Sequence, residues 1–271
     1  HSRSNTLKEE CLQADIIKDV LKLQGDLSYL YGRNSRDRVT NMYTGYTSPT
    51  STTTVNQSQG STLQNVRYDT NYLSSNIFAE YTPKLGEDHM LKVLAGWNLE
   101  TKSYRTQTIR RTGLNVPDKP SFGLMNGVTD NPVADGYDWS YVGFFGRINY
   151  SYKSRYLLEV SARYDGSSKF PENSKWGFFP SASFAWRLSE ERWMDWSDSW
   201  LDNFKLRLSA GSMGNGNITP YQYIDYMDVK TSSVVIGDNF QSYVTAPGAI
   251  PLSLTWETST TYDVGADLDF L

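Results

Sequence analysis

Apolar residues fall on alternate positions through most of the chain, which is the period of a strand with one apolar face. From Leu21, one face holds Leu21, Leu23, Gly25, Leu27, Tyr29 and Tyr31, and the other Lys22, Gln24, Asp26, Ser28 and Leu30. Leu73, Ile77, Ala79 and Tyr81 alternate in the same way with Tyr72, Ser74, Asn76 and Glu80. Leu91, Val93, Ala95, Trp97 and Leu99 do so with Lys92, Asn98 and Glu100. A hairpin follows, in which Val142, Phe144, Gly146, Ile148, Tyr150 and Tyr152 lead through Lys153-Ser154-Arg155 into Tyr156, Leu158, Val160, Ala162 and Tyr164. Pairing Tyr150 with Leu158 and Ile148 with Val160 keeps every apolar residue on one face. That register sets Asn149 opposite Glu159 and leaves Arg147 diagonal to the same carboxylate. Further strands are predicted over 176–188, 204–211 and 256–270, the last with Tyr262, Val264, Ala266, Leu268 and Phe270 on one face, and a weaker strand over 6–15 precedes them all. The pattern therefore predicts an all-β, antiparallel chain of about nine strands.

The connections alternate between short and long. Residues 16–20, 83–89 and 153–155 make short links, 32–69, 102–138 and 212–255 make long ones, and 166–174 and 189–203 are intermediate. A sheet in the bacterial outer membrane behaves this way, because its periplasmic turns are tight while its external loops are free to grow. A soluble β-sandwich or propeller on the cell surface is the competing reading, but it has no reason to keep its long loops on one side. Nine strands in an open sheet would leave unpaired backbone groups in hydrocarbon, which does not tolerate them. The expected architecture is thus part of a larger transmembrane barrel of about 22 strands, with residues 1–271 one piece of its wall and no plug domain among them. The opening at His1 and an end inside a predicted strand agree with a segment of a longer protein.

Composition sharpens this picture. Aromatic residues make up 14% of the chain (19 Tyr, 11 Phe and 8 Trp), yet the mean hydropathy is −0.54. A thin apolar band, aromatic girdles and a polar interior reconcile the two values. A net charge of −4 provides no basic stripe for phosphates, so no nucleic-acid partner is expected. Cys11 is the single cysteine and cannot close a disulfide within the chain. No run of about 18 apolar residues is present, which excludes a spanning helix and leaves a spanning strand open. His1 and His89 stand apart, and no metal-ligand spacing, nucleophile elbow or phosphate-cradling glycine loop occurs. No catalytic residue, metal or cofactor is expected. The carboxylates of the polar faces (Asp26, Glu80, Glu100, Glu159, Asp263 and Asp267) interleave with Lys22, Lys92, Arg147, Arg163, Arg187 and Arg207, as in a neutralised polar wall.

Several stretches carry a family likeness. They are Tyr156-Leu157-Leu158-Glu159-Val160-Ser161-Ala162-Arg163-Tyr164-Asp165-Gly166-Ser167-Ser168-Lys169-Phe170, then Lys175-Trp176-Gly177-Phe178-Phe179-Pro180-Ser181 and Trp186-Arg187-Leu188-Ser189-Glu190-Glu191. Trp200-Leu201-Asp202-Asn203-Phe204-Lys205-Leu206-Arg207-Leu208-Ser209, Gly214-Asn215 and Leu254-Thr255-Trp256-Glu257-Thr258-Ser259 follow in order. In residues and spacing the chain resembles the SusC/RagA family of TonB-dependent outer-membrane transporters, closely over 140–271 and more loosely over 1–139. The resemblance implies a 22-stranded barrel around a plug, energy coupling through TonB, and a SusD-like surface lipoprotein as lid. It also implies import of oligosaccharides or, in some members, peptides, in a Gram-negative bacterium. The segment that would contact TonB is not within these residues. An outer-membrane hydrolase on a smaller barrel is a third, weaker reading.

Substrate and partner contacts are expected on the loops. Of the 36 residues from 34 to 69, 13 are Ser or Thr and 7 are Asn or Gln, with Tyr43 and Tyr46 among them. The 212–255 connection carries Tyr221, Tyr223, Tyr226 and Tyr243. Tyrosine faces beside amides suit neutral sugars or peptide backbones, and these six tyrosines are the candidate contacts. Asp165-Gly166-Ser167-Ser168 reads as the turn of an external hairpin. Trp193, Trp196 and Trp200 fall at i, i+3 and i+7, so a short helix there would present one aromatic stripe to the lipid interface.

Overall fold

The computed structural model describes residues 2–55, 60–116, 118–130, 132–197, 199–224, 227, 229–237, 239–246 and 254–270. Its strands are β1 (Ser2–Ile17), β2 (Leu21–Thr40), β3 (Tyr43–Ser48), β4 (Ser51–Val55), β5 (Thr62–Tyr81), β6 (His89–Thr112) and β7 (Val133–Tyr152). They continue with β8 (Tyr156–Ser167), β9 (Trp176–Arg187), β10 (Leu201–Asn215), β11 (Val229–Ile236), β12 (Asn239–Val244) and β13 (Glu257–Phe270). Nine of them hydrogen-bond in one sheet in the order β1-β2-β5-β6-β7-β8-β9-β10-β13, an antiparallel meander. The hairpins β3–β4 and β11–β12 lie within two of its connections. All nine strands expected from the alternation are these nine.

The strands are longer than their apolar stretches. β2 and β5 have 20 residues each and β6 has 24, about 80 Å for β6 at ~3.3 Å per residue, whereas about 9–11 residues cross a bilayer. Much of what reads as loop at 32–69 and 102–138 is therefore strand. Alternation fades there because both faces meet water.

One compact unit comprises Cys11–Asp26, Ser75–Glu100 and Trp139–Leu271. Here the expected hairpin register is observed: Ile148 pairs with Val160, Tyr150 with Leu158 and Asn149 with Glu159. Arg147 Nε lies 3.8 Å from Glu159. The turn between them is closed by Arg155 N–H donating to Tyr152 at 3.0 Å, with Lys153 and Ser154 both at positive φ, the primed geometry that follows strand twist. Across the sheet the apolar face forms continuous rungs, such as Tyr150, Leu158, Phe184, Leu208 and Val264. These residues are not a core: Ile148 is 47% exposed, Val160 43% and Val264 82%. A closed two-sheet sandwich would have buried them, so the soluble alternative fails here. The rungs end in rings at both levels. Tyr152, Tyr156 and Trp186 stack at 6.3 and 6.1 Å, while Tyr164 lies parallel to Trp176 at 4.8 Å and Phe144 at 6.5 Å from it. Tyr156 and Tyr164 are eight residues apart, about 26 Å along the strand and near the ~25 Å apolar band of an outer-membrane barrel.

The other unit comprises His1–Glu10, Leu27–Ser74 and Thr101–Asp138. Its buried apolar cluster is Leu63, Leu114 and Met125, with Phe122 against it. Ser61 clamps this knot, its Oγ accepting from Leu114 N–H at 2.9 Å and donating to Leu114 O at 3.2 Å.

Candidate functional site

The polar face of the sheet is built by the residues alternating with the lipid-facing ones. In β7 to β10 and β13 these are Tyr141, Gly143, Phe145, Arg147, Glu159, Ser161, Arg163, Asp165, Ser181, Ser183, Ser209, Gly211 and Asp263, in register across the strands. Small side chains at 181, 183, 209 and 211 leave a groove of about 760 Å³, bordered by Tyr141, Glu159, Arg163, Asp165, Phe179 and Asp263. Ser161 and Ser181 hydroxyls meet across its floor at 2.7 Å.

The expected neutralisation of this wall is observed for several of its charges, while Lys22 and Arg187 take part in no ion pair among the described residues. Lys92 reaches Glu80 at 2.8 Å, Asp267 receives Lys205 at 3.6 Å and Arg207 at 3.3 Å, and Asn76 donates to Asp26 at 2.8 Å. The most elaborate pairing escaped the sequence pattern. Arg163 donates to both oxygens of Asp165 at 3.0 and 3.2 Å, to Asn98 Oδ1 at 3.2 Å and to Tyr141 Oη at 3.3 Å, and it lies 5.5 Å from the Phe145 ring centre. Asp165 is only 4% exposed. The Nε and Nη2 of Arg163 are thus committed to the wall, linking β8 to Asn98 of β6 and Tyr141 of β7. Asp165-Gly166 is therefore not a turn: Asp165 pairs with Gly143 and Gly177, Gly166 with Val142 and Trp176, and the chain reverses over 168–175. That reversal is pinned by Phe170, Phe179 and Trp256, buried together with Tyr141, Ile218 and Leu254 against them. Trp256 Nε1–H donates to Lys175 O at 3.1 Å, and Gly214 is bare because the Phe179 ring occupies its Cβ position.

The candidate tyrosines fare unequally. Tyr43 and Tyr46 sit on the β3–β4 hairpin, paired with Val55 and Thr52, and their odd spacing sends them to opposite faces. They form no common platform. Tyr221 takes a positive φ of 65°, Tyr223 Oη donates to Ser168 O at 3.4 Å, and Tyr243 lies on β12 opposite Lys230. Tyr226 lies outside the described residues. Three tyrosines not singled out in the sequence are brought together: Tyr68 of β5, Tyr104 of β6 and Tyr137 of β7, with ring centres 6.3 and 5.1 Å apart and near-parallel planes. Lys102 Nζ is 5.7 Å from the Tyr137 ring centre. By alternation they share the polar face of Asn76, Asn98 and Tyr141. All three stand in stretches that read as loop, 32–69 and 102–138, and the ring stacking depends on strand register, so sequence offered little signal for the row.

At the turn end of β9 and β10, Arg192–Ser197 is a 3-10 turn rather than a longer helix. Its three-residue period places Trp193 and Trp196 on one side, 56% and 68% exposed, while Trp200 follows the turn. Trp196 and Trp200 are 5.9 Å apart, and Trp200 stacks on Phe270 at 6.1 Å. Leu188, Met194, Ser197 and Leu201 are buried beneath. Glu191 ties the segment to the sheet: it accepts from Tyr156 Oη at 2.6 Å and Trp186 Nε1 at 3.1 Å, with Arg155 at 3.4 Å. The Tyr156 bond foremost, then the Trp186 bond, holds this carboxyl below its ordinary range. Tyr156 and Trp186, which hold Glu191, and Phe270, on which Trp200 stacks, all belong to the lipid-facing side. Among the described residues, no group of three or more His, Cys, Asp or Glu could hold a metal.

Residues 13–271 match the TonB dependent receptor-like, beta-barrel family model. A TonB-dependent receptor of Formosa agariphila is 34% identical over 74% of this chain and 20% of its own length. The TonB-dependent receptor SusC of Bacteroides thetaiotaomicron is 37% identical over 48% of this chain and 13% of its own. Among solved structures, the RagAB peptide transporter superposes with a TM-score of 0.72 at 20% identity, covering 99% of this chain and 29% of that one. The chain spans about a fifth of the length of the first of these relatives. The lipid-exposed apolar face, the neutralised polar face and these matches converge: the chain belongs to the TonB-dependent receptor-like β-barrel family of the Gram-negative outer membrane, in its SusC/RagA group.

Proposed function

We propose that this chain forms part of the wall of a TonB-dependent importer that works with a SusD-like surface lipoprotein and carries a neutral, hydrogen-bonding oligomer, an oligosaccharide in preference to a peptide. The observation that carries this reading is the polar face, where Lys92, Arg147, Arg163, Lys205 and Arg207 are each paired with a carboxylate while serines and tyrosines face the open side. An anionic substrate would call for free arginine forks. Neutral hydroxyls and amides can bind sugars with little salt dependence. Tyr43, Tyr46, Tyr221, Tyr223, Tyr226 and Tyr243 remain candidate contacts for substrate or lipoprotein, and the row of Tyr68, Tyr104 and Tyr137 joins them. Peptide is the second reading, supported by the structural likeness to a transporter named for peptides. Coupling to TonB belongs to a segment outside these residues. Calorimetry on the complete transporter–lipoprotein complex tests the substrate class. Neutral glycans are expected to bind with an affinity little changed by salt, and oligopeptides not to bind. Tight oligopeptide binding without glycan binding would reverse the assignment.

Trp193, Trp196 and Trp200 are proposed as interfacial anchors. Trp200 stacks on Phe270 of the lipid-facing side and Trp196 packs on Trp200, and tryptophan favours the headgroup level of a membrane.

A further inference from the structure

The outward faces of β2 and β5 change character abruptly. On β2 the alternate residues run Leu21, Leu23, Leu27, Tyr29, Tyr31 and then Arg33. On the neighbouring β5 they run back from Ile77 and Leu73 to Asn71, Asp69 and Arg67. The first polar rung is Tyr29 Oη donating to Asn71 Oδ1 at 3.0 Å. On the next, Arg33 Nε donates to Asp69 Oδ1 at 2.8 Å, and Arg67 Nε lies 2.9 Å from Asp69 Oδ2. Two guanidiniums thus share one carboxylate, leaving a net charge of about +1. Both meet it through Nε, and their four Nη nitrogens have no partner among the described residues. Arg33 is further steadied over the Tyr31 ring, 5.6 Å from its centre. Its side chain is 50% exposed and that of Arg67 38%. One rung further, Asn65 donates to Ser35 and to Asp37 at 3.0 and 2.6 Å, a neutral contact that leaves the Asp37 charge beyond the arginine pair.

Position identifies the ligand. Arg33 stands two residues beyond Tyr31, about 7 Å along the strand, where a face that was apolar and aromatic becomes charged. Aromatic residues mark the level of lipid headgroups, so the arginine pair meets the headgroup layer from the side. It cannot meet a solute on the polar face of the sheet, because the side chains point the other way. Arginine forks match phosphate oxygens in pairs. We propose that Arg33 and Arg67 form a binding site for the phosphomonoester of a membrane lipid, oriented by Asp69 and lying on the long-connection side, which in an outer-membrane barrel faces outward.

The test uses the full-length protein in detergent, with retained lipid read by native mass spectrometry. Bis-phosphorylated lipid A is compared with its dephosphorylated form, and inorganic phosphate is the competitor. Wild type should retain the phosphorylated lipid at least tenfold better than the dephosphorylated one. The double variant Arg33→Gln/Arg67→Gln should lose that preference while keeping its β-sheet circular dichroism. Equal retention of the two lipids by wild type, which needs no variant, would overturn the site. So would an unchanged preference in the double variant. Complete displacement by equimolar inorganic phosphate would reject a lipid as the ligand.

Discussion

Gly143 shows how a single missing side chain organises a charged cluster within a membrane wall. A Cβ there would collide with Asp165 Oδ1 and Asn98 Oδ1 and lie 2.9 Å from Arg163 Nη2. The backbone of β7 can therefore lie against the ion pair only where no side chain intervenes. Gly143→Ala should force Arg163 and Asp165 out of register. We expect a loss of about 1–3 kcal/mol in barrel stability, the range for overpacking a filled site. Denaturant unfolding of the protein refolded in lipid vesicles measures it, and a change within experimental scatter would mean that the cluster yields without cost. The cluster also marks a limit of sequence reading. Arg163 and Asp165 are two apart on one strand and so visibly share a face. Asn98 and Tyr141 come from other strands, and their convergence depends on register that alternation alone does not specify.

At the scale of elements, the segment between β9 and β10 folds as a foot on the rim of the lipid-facing surface. Its attachment runs through Glu191, whose carboxyl is held below its ordinary range by hydrogen bonds from Tyr156 and Trp186. A carboxylate stabilised in this way supports the fold above its unfolded value, about 4.3, and that support is lost as pH falls through the lower folded value. The foot should thus be firmly seated at neutral pH and loosen below about pH 4. In vesicles of brominated lipid, Trp193, Trp196 and Trp200 should be quenched most by bromine near the headgroups. Glu191→Gln should make that quenching independent of pH across the acid range. Quenching strongest from bromine at the chain ends would place the foot elsewhere. The three tryptophans were conspicuous in the sequence, but their spacing suggested a helix. The observed 3-10 turn aligns two of them, and the third joins through ring contact. Strand existence and pairing were legible because lipid demands alternation. The extensions of β2, β5 and β6 were not, since in water neither face is constrained.

For the whole molecule, the decisive property is that one sheet has two solvents. The face with Val160, Phe184 and Leu208 meets hydrocarbon, and the face with Ser161, Ser183 and Ser209 meets the groove. Val160→Arg should cost about 2–4 kcal/mol, the penalty for arginine near the bilayer midplane. Ser209→Arg should cost less than half as much, because it points into the groove beside Asp263, 3.4 Å from the native hydroxyl. Refolding yields and unfolding curves in vesicles distinguish the two, and equal losses would contradict the assignment of faces.

β6 carries a consequence of its own. Its 24 residues pass without interruption from the short-turn end through the hydrocarbon layer and well beyond it. The outward positions 91, 93, 95, 97 and 99 therefore sample the membrane at steps of about 6.6 Å along the strand. A polarity-sensitive dye moved along this series would turn the strand into a ruler, on which the thickness and hydration of the surrounding bilayer could be read directly.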